Sequence, residues 1–369
     1  MTHIIRYAIV GGGAGIAATH LAALKKLEFA EVVGLADPNP QPAKQRAEAL
    51  GCPSFSDYRA MLTEVKPEVV VICAPHPLHR TIAQDAFAAG AHVLTEKPMA
   101  IQVADADAMI DAAKAAGKLL VINFQQRFRT AIARAKQLVD EGAIGDLVRV
   151  FSVEPWYRPA AYFALGAVDG KPSWRGTWRG EGGGILMNQS PHTMDLLCYL
   201  AGMPSKVWGW ARTRGHAIEV EDTFQAMLEF PNGAPGFITA STFETGAQKR
   251  LQIIGERGLI EVVEETVYVS RFAQPIREHL RTCTEPFAAP AKTTEVLDLP
   301  DTSGGHLAIY QDLQEAIWYN RTPLITGEQG RMSLELANAI TLSSQEERAV
   351  TLPLDRGAYA RVLAELQRS

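Results

Sequence analysis

The chain predicts a two-domain α/β protein: a doubly wound parallel sheet in residues 1–125, then an α+β domain in residues 126–369 with an open, mostly antiparallel sheet. Three observations predict it. As far as residue 125, short β-branched runs alternate with amphipathic helical stretches, the pattern of βαβ units with right-handed crossovers. Runs such as Val69-Val70-Val71-Ile72 lack polar alternation, as strands covered on both faces do. After Phe128 the order changes to several strands in succession, joined by turn residues. A length of 369 residues also suits about two domains.

In the first domain, strands are expected at 4–10, 31–36, 69–73, 92–95 and 119–122, with helices at 17–27, 41–50, 78–89 and 103–116. In the second, a helix over 129–141 stops at Gly142 and leads to a strand at 147–153. An irregular aromatic stretch runs from Trp156 to Trp178, followed by a helix ending at Leu200-Ala201-Gly202. Six strands follow, at 207–212, 223–230, 236–243, 251–255, 259–263 and 267–270. Pro231-Asn232-Gly233 and Gly255-Glu256-Arg257-Gly258 read as hairpin connections. Residues 274–301 carry little pattern and read as a long loop or arm. Helices at 307–320 and 331–347, a short strand and a last helix complete the chain, and that last helix is a candidate to pack back on the first domain.

Composition narrows the function. A net charge of -5 and no basic run argue against nucleic acid as a partner. No apolar run reaches the roughly 18–20 residues of a membrane span, and the start shows no signal-peptide pattern, so a cytoplasmic protein is expected. Cys52, Cys73, Cys198 and Cys283 fit neither CxxC nor zinc-ligand spacing, so no metal is expected and the thiols read as reduced.

The chemistry concentrates in a few motifs. After the first strand comes Gly11-Gly12-Gly13-Ala14-Gly15-Ile16-Ala17, where backbone N–H groups and a helix N-terminus can meet a pyrophosphate. The turn carries one residue more than G-x-G-x-x-G, and a tight turn without a ligand is the alternative. Asp37, ending the second strand, is spaced to accept the hydroxyls of an adenosine ribose and would repel a 2′-phosphate. Pro38-Asn39-Pro40 supplies no compensating cation, so NAD is expected over NADP. Ala74, Pro75, His76 and His79 follow the next strand, beside the cofactor crevice; the two histidines could equally be solvated loop or helix-start residues.

Thr95-Glu96-Lys97-Pro98, about 80 residues after the glycine turn, is the most informative stretch. A lysine at a strand end in a cleft can have its proton affinity lowered and can stabilise a developing alkoxide. Its expected partner is Glu181-Gly182-Gly183-Gly184…Asn188-Gln189-Ser190-Pro191-His192. A helix starting between Asn188 and Ser190 would set Asn188 and His192 four apart on one face, with the positive helix end keeping the imidazole neutral. Tyr157, Arg158, Tyr162, Trp174 and Arg175 read as a lip that stacks on and hydrogen-bonds a sugar, or as an interface cluster. Gln125 joins the expected cofactor contacts, with Glu96 and Lys97. Gln126 and Arg127 join the substrate contacts, with Asn188 and His192.

With these motifs in hand, the chain resembles the glucose–fructose oxidoreductase/inositol dehydrogenase (Gfo/Idh/MocA) family over nearly its whole length. The resemblance rests on the glycine turn followed by His20, on Asp37, on Glu96-Lys97-Pro98, on Gly182-Gly183-Gly184 leading to Asn188 and His192, and on Val350-Thr351-Leu352-Pro353-Leu354. It implies a Rossmann domain and a C-terminal domain whose open sheet makes homodimers or homotetramers. It further implies Lys97 and His192 as the proton-handling pair and a cis Lys97–Pro98 bond. Asn188 stands where many members carry Asp, so a full Lys-Asp-His relay is missing. The expected activity is NAD-dependent oxidation of a secondary hydroxyl of a sugar, a glycoside (at C3) or a cyclitol. Two alternatives stay open: a redox-neutral lyase or hydrolase holding NAD tightly, and a non-catalytic NAD-bound sensor.

Overall fold

A computed structural model describes residues 2–165, 173–297, 299–300 and 305–368. The chain forms two compact units. The first comprises Met1–Gln125, Arg179–Gly182 and Ser303–Leu334; the second comprises Gln126–Trp178, Gly183–Thr302 and Glu335–Ser369.

The first unit alternates β1 (Ile5–Val10), α1 (Gly15–Leu24), β2 (Ala30–Ala36), α2 (Pro40–Leu50), β3 (Ser54–Phe55), α3 (Tyr58–Val65), β4 (Val69–Ile72), α4 (His79–Ala88), β5 (His92–Thr95), α5 (Val103–Ala116) and β6 (Leu120–Ile122). All six strands are parallel, in the order β3-β2-β1-β4-β5-β6. That order reverses beside β1, and ligands of such sheets bind outside the strand C-termini at the reversal. Val69, Val70, Val71 and Ile72 are wholly buried, as their unbroken apolar run requires. Two elements here escape sequence reasoning. β3 has only two residues, too few for a period. α3 does carry signals: Asp57 accepts the N–H of Arg59 as N-cap, and Met61, Leu62 and Val65 face the core.

The second unit holds α6 (Thr130–Asp140), β7 (Leu147–Pro155), three short turns of helix α7 (Ala160–Phe163), α8 (Trp178–Glu181) and α9 (Ile185–Asn188), and then α10 (Pro191–Ala201). β8 (Lys206–Arg212), β9 (Thr223–Glu229), β10 (Pro235–Ser241), β11 (Arg250–Gly255), β12 (Gly258–Val263) and β13 (Thr266–Phe272) follow. After them come α11 (Ile276–Thr282), β14 (Lys292–Leu297), α12 (His306–Tyr319), α13 (Gly327–Glu346), β15 (Val350–Thr351) and α14 (Arg356–Leu366). Of these, α8 after Trp178, α12 and the first part of α13 belong to the first unit, and α14 to the second. Residues 274–301, read from sequence as a loop or arm, hold α11 and β14. β14 is an edge strand exposed along most of its length, so no alternation was needed to build it.

The nine strands run β14-β13-β12-β11-β7-β10-β9-β8-β15, antiparallel except for the β7–β10 pair. One face packs inward, through residues such as Val150, Val207, Phe224, Ile238 and Ile253. On the other face, register aligns Val296, Tyr268, Glu261, Gln252, Phe151, Phe237, Met227 and Trp208 in one row across eight strands. Phe151 stacks on Phe237 with centroids 5.8 Å apart, while Val296, Met227, Trp208 and the nearby Trp210 are exposed. Among the described residues, no helix is long and apolar enough to cross a membrane.

Candidate active site

The glycine turn sits at the reversal point of the first sheet. Gly11, at φ +85°, brings its Cα so near the end of β4 that an added Cβ would lie 2.6 Å from the Cys73 carbonyl carbon. Only glycine fits there. Gly13 donates its N–H to Asp37 Oδ2 (2.9 Å), and Asn39 donates to Oδ1 (2.9 Å), so the carboxylate expected to address a ribose is fixed against the turn. Gly15 and Ile16 are exposed at the first turn of α1, and an added Cβ on Gly15 meets nothing within 4 Å. This exposed, amide-rich helix end suits a pyrophosphate. Gln125 Oε1 is buried without a protein partner. An orphaned acceptor of that kind fits a bound amide, and so a nicotinamide cofactor.

Sequence reasoning missed one residue here. Arg46 of α2 reaches over the turn and donates to the carbonyls of Gly12 (2.6 Å) and Ala14 (2.7 Å). A cation is therefore present at the turn although Pro38-Asn39-Pro40 offers none. Sequence reasoning also places His76 and His79 among the cofactor contacts, with Ala74 and Pro75 ahead of them. The structure buries both rings. His79 lies between the carbonyls of Ala74 (2.8 Å) and Pro98 (3.0 Å), and burial lowers its proton affinity. His76 Nδ1 meets the Glu181 carbonyl at 3.0 Å. His79 acts as a pin between two turns of the backbone.

Glu96-Lys97-Pro98 continues from β5, and the Lys97–Pro98 peptide is cis. Glu96 N–H bonds the Ile72 carbonyl (3.0 Å) and Asn123 N–H the Thr95 carbonyl (2.9 Å), so sheet-like pairing continues past the strand ends. The Glu96 carboxylate is buried. Oε1 accepts from His20 Nε2 (2.8 Å) and from Asn123 Nδ2, and Oε2 from the Lys97 N–H (3.2 Å). His20 Nδ1 lies 2.8 Å from the Tyr310 hydroxyl, and Asn123 Nδ2 lies 2.9 Å from His306 Nε2. Burial opposes charge on His20, but Cys73 and Glu96 beside it outweigh this and raise it to about 10. Burial likewise opposes charge on Glu96, yet His20, Lys97 and Asn123 hold its carboxyl well below the usual range. His20, Glu96 and His306 present ligand atoms within 4.8 Å of one another, as a metal trio would. Their short contacts to each other, Asn123 and Tyr310 are hydrogen bonds.

In the second unit, the buried Glu221 organises the glycine triplet. Its Oε1 accepts the N–H groups of Gly184 (2.8 Å) and Leu186 (3.1 Å), and its backbone carbonyl accepts that of Ile185 (3.0 Å). A Cβ on Gly184 would lie 1.9 Å from that carbonyl oxygen, which is why the position is glycine. α9 ends at Asn188, and α10 begins at Pro191, so the two residues do not share one continuous helix as the sequence suggested. Gln189 and Ser190 between them keep right-handed helical dihedrals. His192 is buried in the first turn of α10, and Asn188 is half-buried.

The aromatic–basic lip forms an alternating stack. Lys249 and Arg158 lie over the Trp156 ring (4.6 and 5.4 Å), Arg158 and Arg175 over Tyr162 (5.2 and 4.8 Å), and Arg175 over Trp174 (4.7 Å). Arg175 donates to the Tyr162 hydroxyl (2.8 Å), and so does Gln189 (3.1 Å), which joins the lip to the segment before α10. His216, held by Asp222, meets the Arg158 carbonyl (2.8 Å). Tyr157 is exposed, and residues 166–172 of the aromatic stretch lie outside the described residues. Glu154, buried at the end of β7, pairs with Lys249 at 2.6 Å; neither was found from sequence.

Arg127, expected at the substrate, is a core residue instead. It is 1% exposed, forms a bidentate pair with Asp195 of α10 (2.8 and 2.6 Å) and stacks on Tyr199 (4.4 Å). Burial pushes the Asp195 carboxyl up, and Arg127 holds it back. Gln126 beside it is half-buried, in a small hollow with Arg129 and Thr193.

A parallel sheet of this order, with a ribose-spaced Asp and a phosphate-suited turn, defines a dinucleotide-binding protein. Residues 5–124 match the model of the oxidoreductase family with an NAD-binding Rossmann fold, and residues 132–261 match that of the GFO/IDH/MocA C-terminal domain. The chain belongs to the GFO/IDH/MocA family and is an NAD-dependent dehydrogenase. It is similar to myo-inositol 2-dehydrogenase of Thermotoga maritima, 25% identical over 94% of this chain and 98% of that protein. The D-glucoside 3-dehydrogenase of Escherichia coli is 29% identical over 62% of this chain and 68% of its own. Among solved structures, the WlbA dehydrogenase of Bordetella pertussis in complex with NADH and UDP-GlcNAcA has a TM-score of 0.79 at 28% identity. It covers 95% of this chain and 99% of its own.

Proposed function

We propose that the protein oxidises a secondary hydroxyl of a sugar, glycoside or cyclitol to a ketone, with His192 and Lys97 acting on that one hydroxyl. Bound NAD supplies the hydride acceptor. The Gly11–Ala17 turn and Asp37 hold its pyrophosphate and ribose, and Gln125 its amide. His192 takes the hydroxyl proton, Lys97 stabilises the developing alkoxide charge, and Asn188 orients the hydroxyl by hydrogen bonding. Tyr157, Arg158, Tyr162, Trp174, Arg175 and Gln126 recognise the rest of the substrate. Glycosides oxidised at C3 are the favoured class, because the stacked Arg158 and Arg175 give the lip hydrogen-bond donors for the hydroxyls of a second ring and a D-glucoside 3-dehydrogenase is among the relatives.

The observation that carries this reading is the pairing of two placements: Lys97 directly after β5 in an NAD-binding sheet, and His192 in the first turn of α10 behind a glycine triplet. NADH formation measured over a panel of inositols, free sugars and glycosides tests the class. With the preferred substrate, His192→Ala is expected to lower kcat at least about 10²-fold while leaving NAD affinity within about threefold. Turnover near that of the wild type would return His192 to a packing role.

The open face of the nine-stranded sheet is assigned to a second copy of the chain. Its row of Val296, Tyr268, Phe151, Phe237, Met227 and Trp208, interrupted by Glu261 and Gln252, forms a largely apolar strip of the kind that homodimers bury. Light scattering after gel filtration should give at least a dimer, and Met227→Lys with Trp208→Glu should give a monomer.

A further inference from the structure

We propose that His20, Asn123 and His306 form a charge-balancing cradle around Glu96, and that this cradle sets the position and proton affinity of Lys97. The inference rests on the reading of Lys97 as the residue facing the alkoxide. His20, Asn123, His306 and Tyr310 would then be positioning residues.

The geometry assigns the protons. Asn123 Nδ2 has two hydrogens and two acceptors in reach, Glu96 Oε1 and His306 Nε2. Reversing the amide would aim its oxygen at the carboxylate, so the nitrogen must face both. His306 Nε2 therefore accepts, and its ring is neutral. Burial and the nearby His20 both favour that form. His20 has the Glu96 carboxylate at Nε2 and the Tyr310 hydroxyl, which can accept, at Nδ1; Glu96 and Cys73 beside it favour the ring that donates at both nitrogens and carries a full charge.

The result is a buried pair whose charges cancel, His20 positive and Glu96 negative, next to Lys97 in sequence and space. Were Glu96 unbalanced, its carboxylate would draw the Lys97 ammonium to itself and raise its hold on the proton. Glu96 Oε2 also accepts the Lys97 N–H, fixing the backbone from which the side chain projects. The other titratable groups facing the cradle are Tyr7 on β1, Cys73 after β4, His79 on α4, and His306 and Tyr310 on α12. None of these is a carboxylate that could replace Glu96.

The test reads Lys97 itself, in the full chain without substrate: competitive acetylation against pH, with the Lys97 peptide followed by mass spectrometry. His20→Gln is expected to raise the Lys97 pKa by about one unit or more. It should lower kcat at least about tenfold and leave NAD affinity within about threefold. Adding Glu96→Gln to it should return the titration to within about 0.3 unit of the wild type, since both charges are then gone. Should His20→Gln not fold, Glu96→Gln alone decides: His20 gives up its proton and the Lys97 titration stays near wild type. A fall of about one unit or more would instead show that Glu96 was never balanced. Lys97 titrating in His20→Gln as in the wild type overturns the cradle. Lys97→Ala that turns over normally overturns the catalytic reading beneath it.

Discussion

The buried Arg127–Asp195 pair gives a prediction that separates a core role from a substrate role. Asp195→Ala leaves a guanidinium that is 1% exposed without its bidentate acceptor. Removing one partner of such a pair costs about 3–5 kcal/mol. Stacking on Tyr199 at 4.4 Å still shelters the cation, so the lower end is expected, about 3 kcal/mol. For a domain of this size, about 2–4 °C per kcal/mol gives a melting point lower by roughly 6–12 °C. Arg127→Met with Asp195→Leu removes both charges and should recover most of the loss, because the buried charge no longer stands alone. Urea unfolding followed by tryptophan fluorescence is the assay. It reports mainly the second unit, which holds Trp156, Trp174, Trp178, Trp208 and Trp210 and leaves only Trp318 to the first. Single variants that unfold within about 1 kcal/mol of the wild type but raise KM would refute the core assignment and make Arg127 a substrate contact.

Three further outcomes follow from the same geometry. Gly184→Ala forces a Cβ to 1.9 Å from the Glu221 carbonyl oxygen, so α9 must shift; stability should fall by at least about 1–3 kcal/mol and activity with it, by circular dichroism and turnover. Asp37→Ala should narrow the NAD-over-NADP ratio of kcat/KM at least about tenfold, and adding Arg46→Ala should cancel the gain with NADP, because Arg46 is the cation held on the turn. The pH dependence follows from His20, held at about 10 in the folded chain against an ordinary value of 6.5. Its stabilisation is fully present below pH 6.5 and lost as pH rises through about 10. First-unit stability, from hydrogen exchange in β4 and β5, should fall over that window by on the order of 3–5 kcal/mol, with a smaller fall in His20→Gln.

The parts of the fold legible in the sequence were those whose residues answer to a period. β4 and β6 are unbroken apolar runs, and β1, β2 and β5 are apolar apart from one or two polar residues towards their ends, because helices cover both faces, and such runs stand out. β14 was illegible for the opposite reason: an exposed edge strand buries almost nothing and so imposes no pattern. In the candidate site, Gly11, Asp37, Lys97 and His192 were marked by spacing from strand ends and helix starts, which is local information. Arg127 was misplaced because its partner, Asp195, is 68 residues away, and nothing local distinguishes a paired arginine from a free one. Glu221 and Arg46 act on glycine turns 37 and 34 residues distant, and Glu154 is recognisable only once β7 is known to be central. His20 was visible as a residue following the glycine turn, but its partners His306 and Tyr310 come from the far end of the chain.

That last separation has a consequence for synthesis. Asn123 and His306 are 183 residues apart. At about 5–20 residues per second, roughly 10–40 s pass on the ribosome between the emergence of β6 and that of α12. Through that interval the nascent first unit carries a buried carboxylate whose network is unfinished and an uncovered face on α1, where His306 and Tyr310 will pack against His20. A release at residue 125 would free a fragment with every strand of its sheet but without the helix that completes its charged interior. Such a fragment is a substrate for chaperones and proteases, and the nucleotide-binding half of this enzyme is finished only when most of the other half has been made.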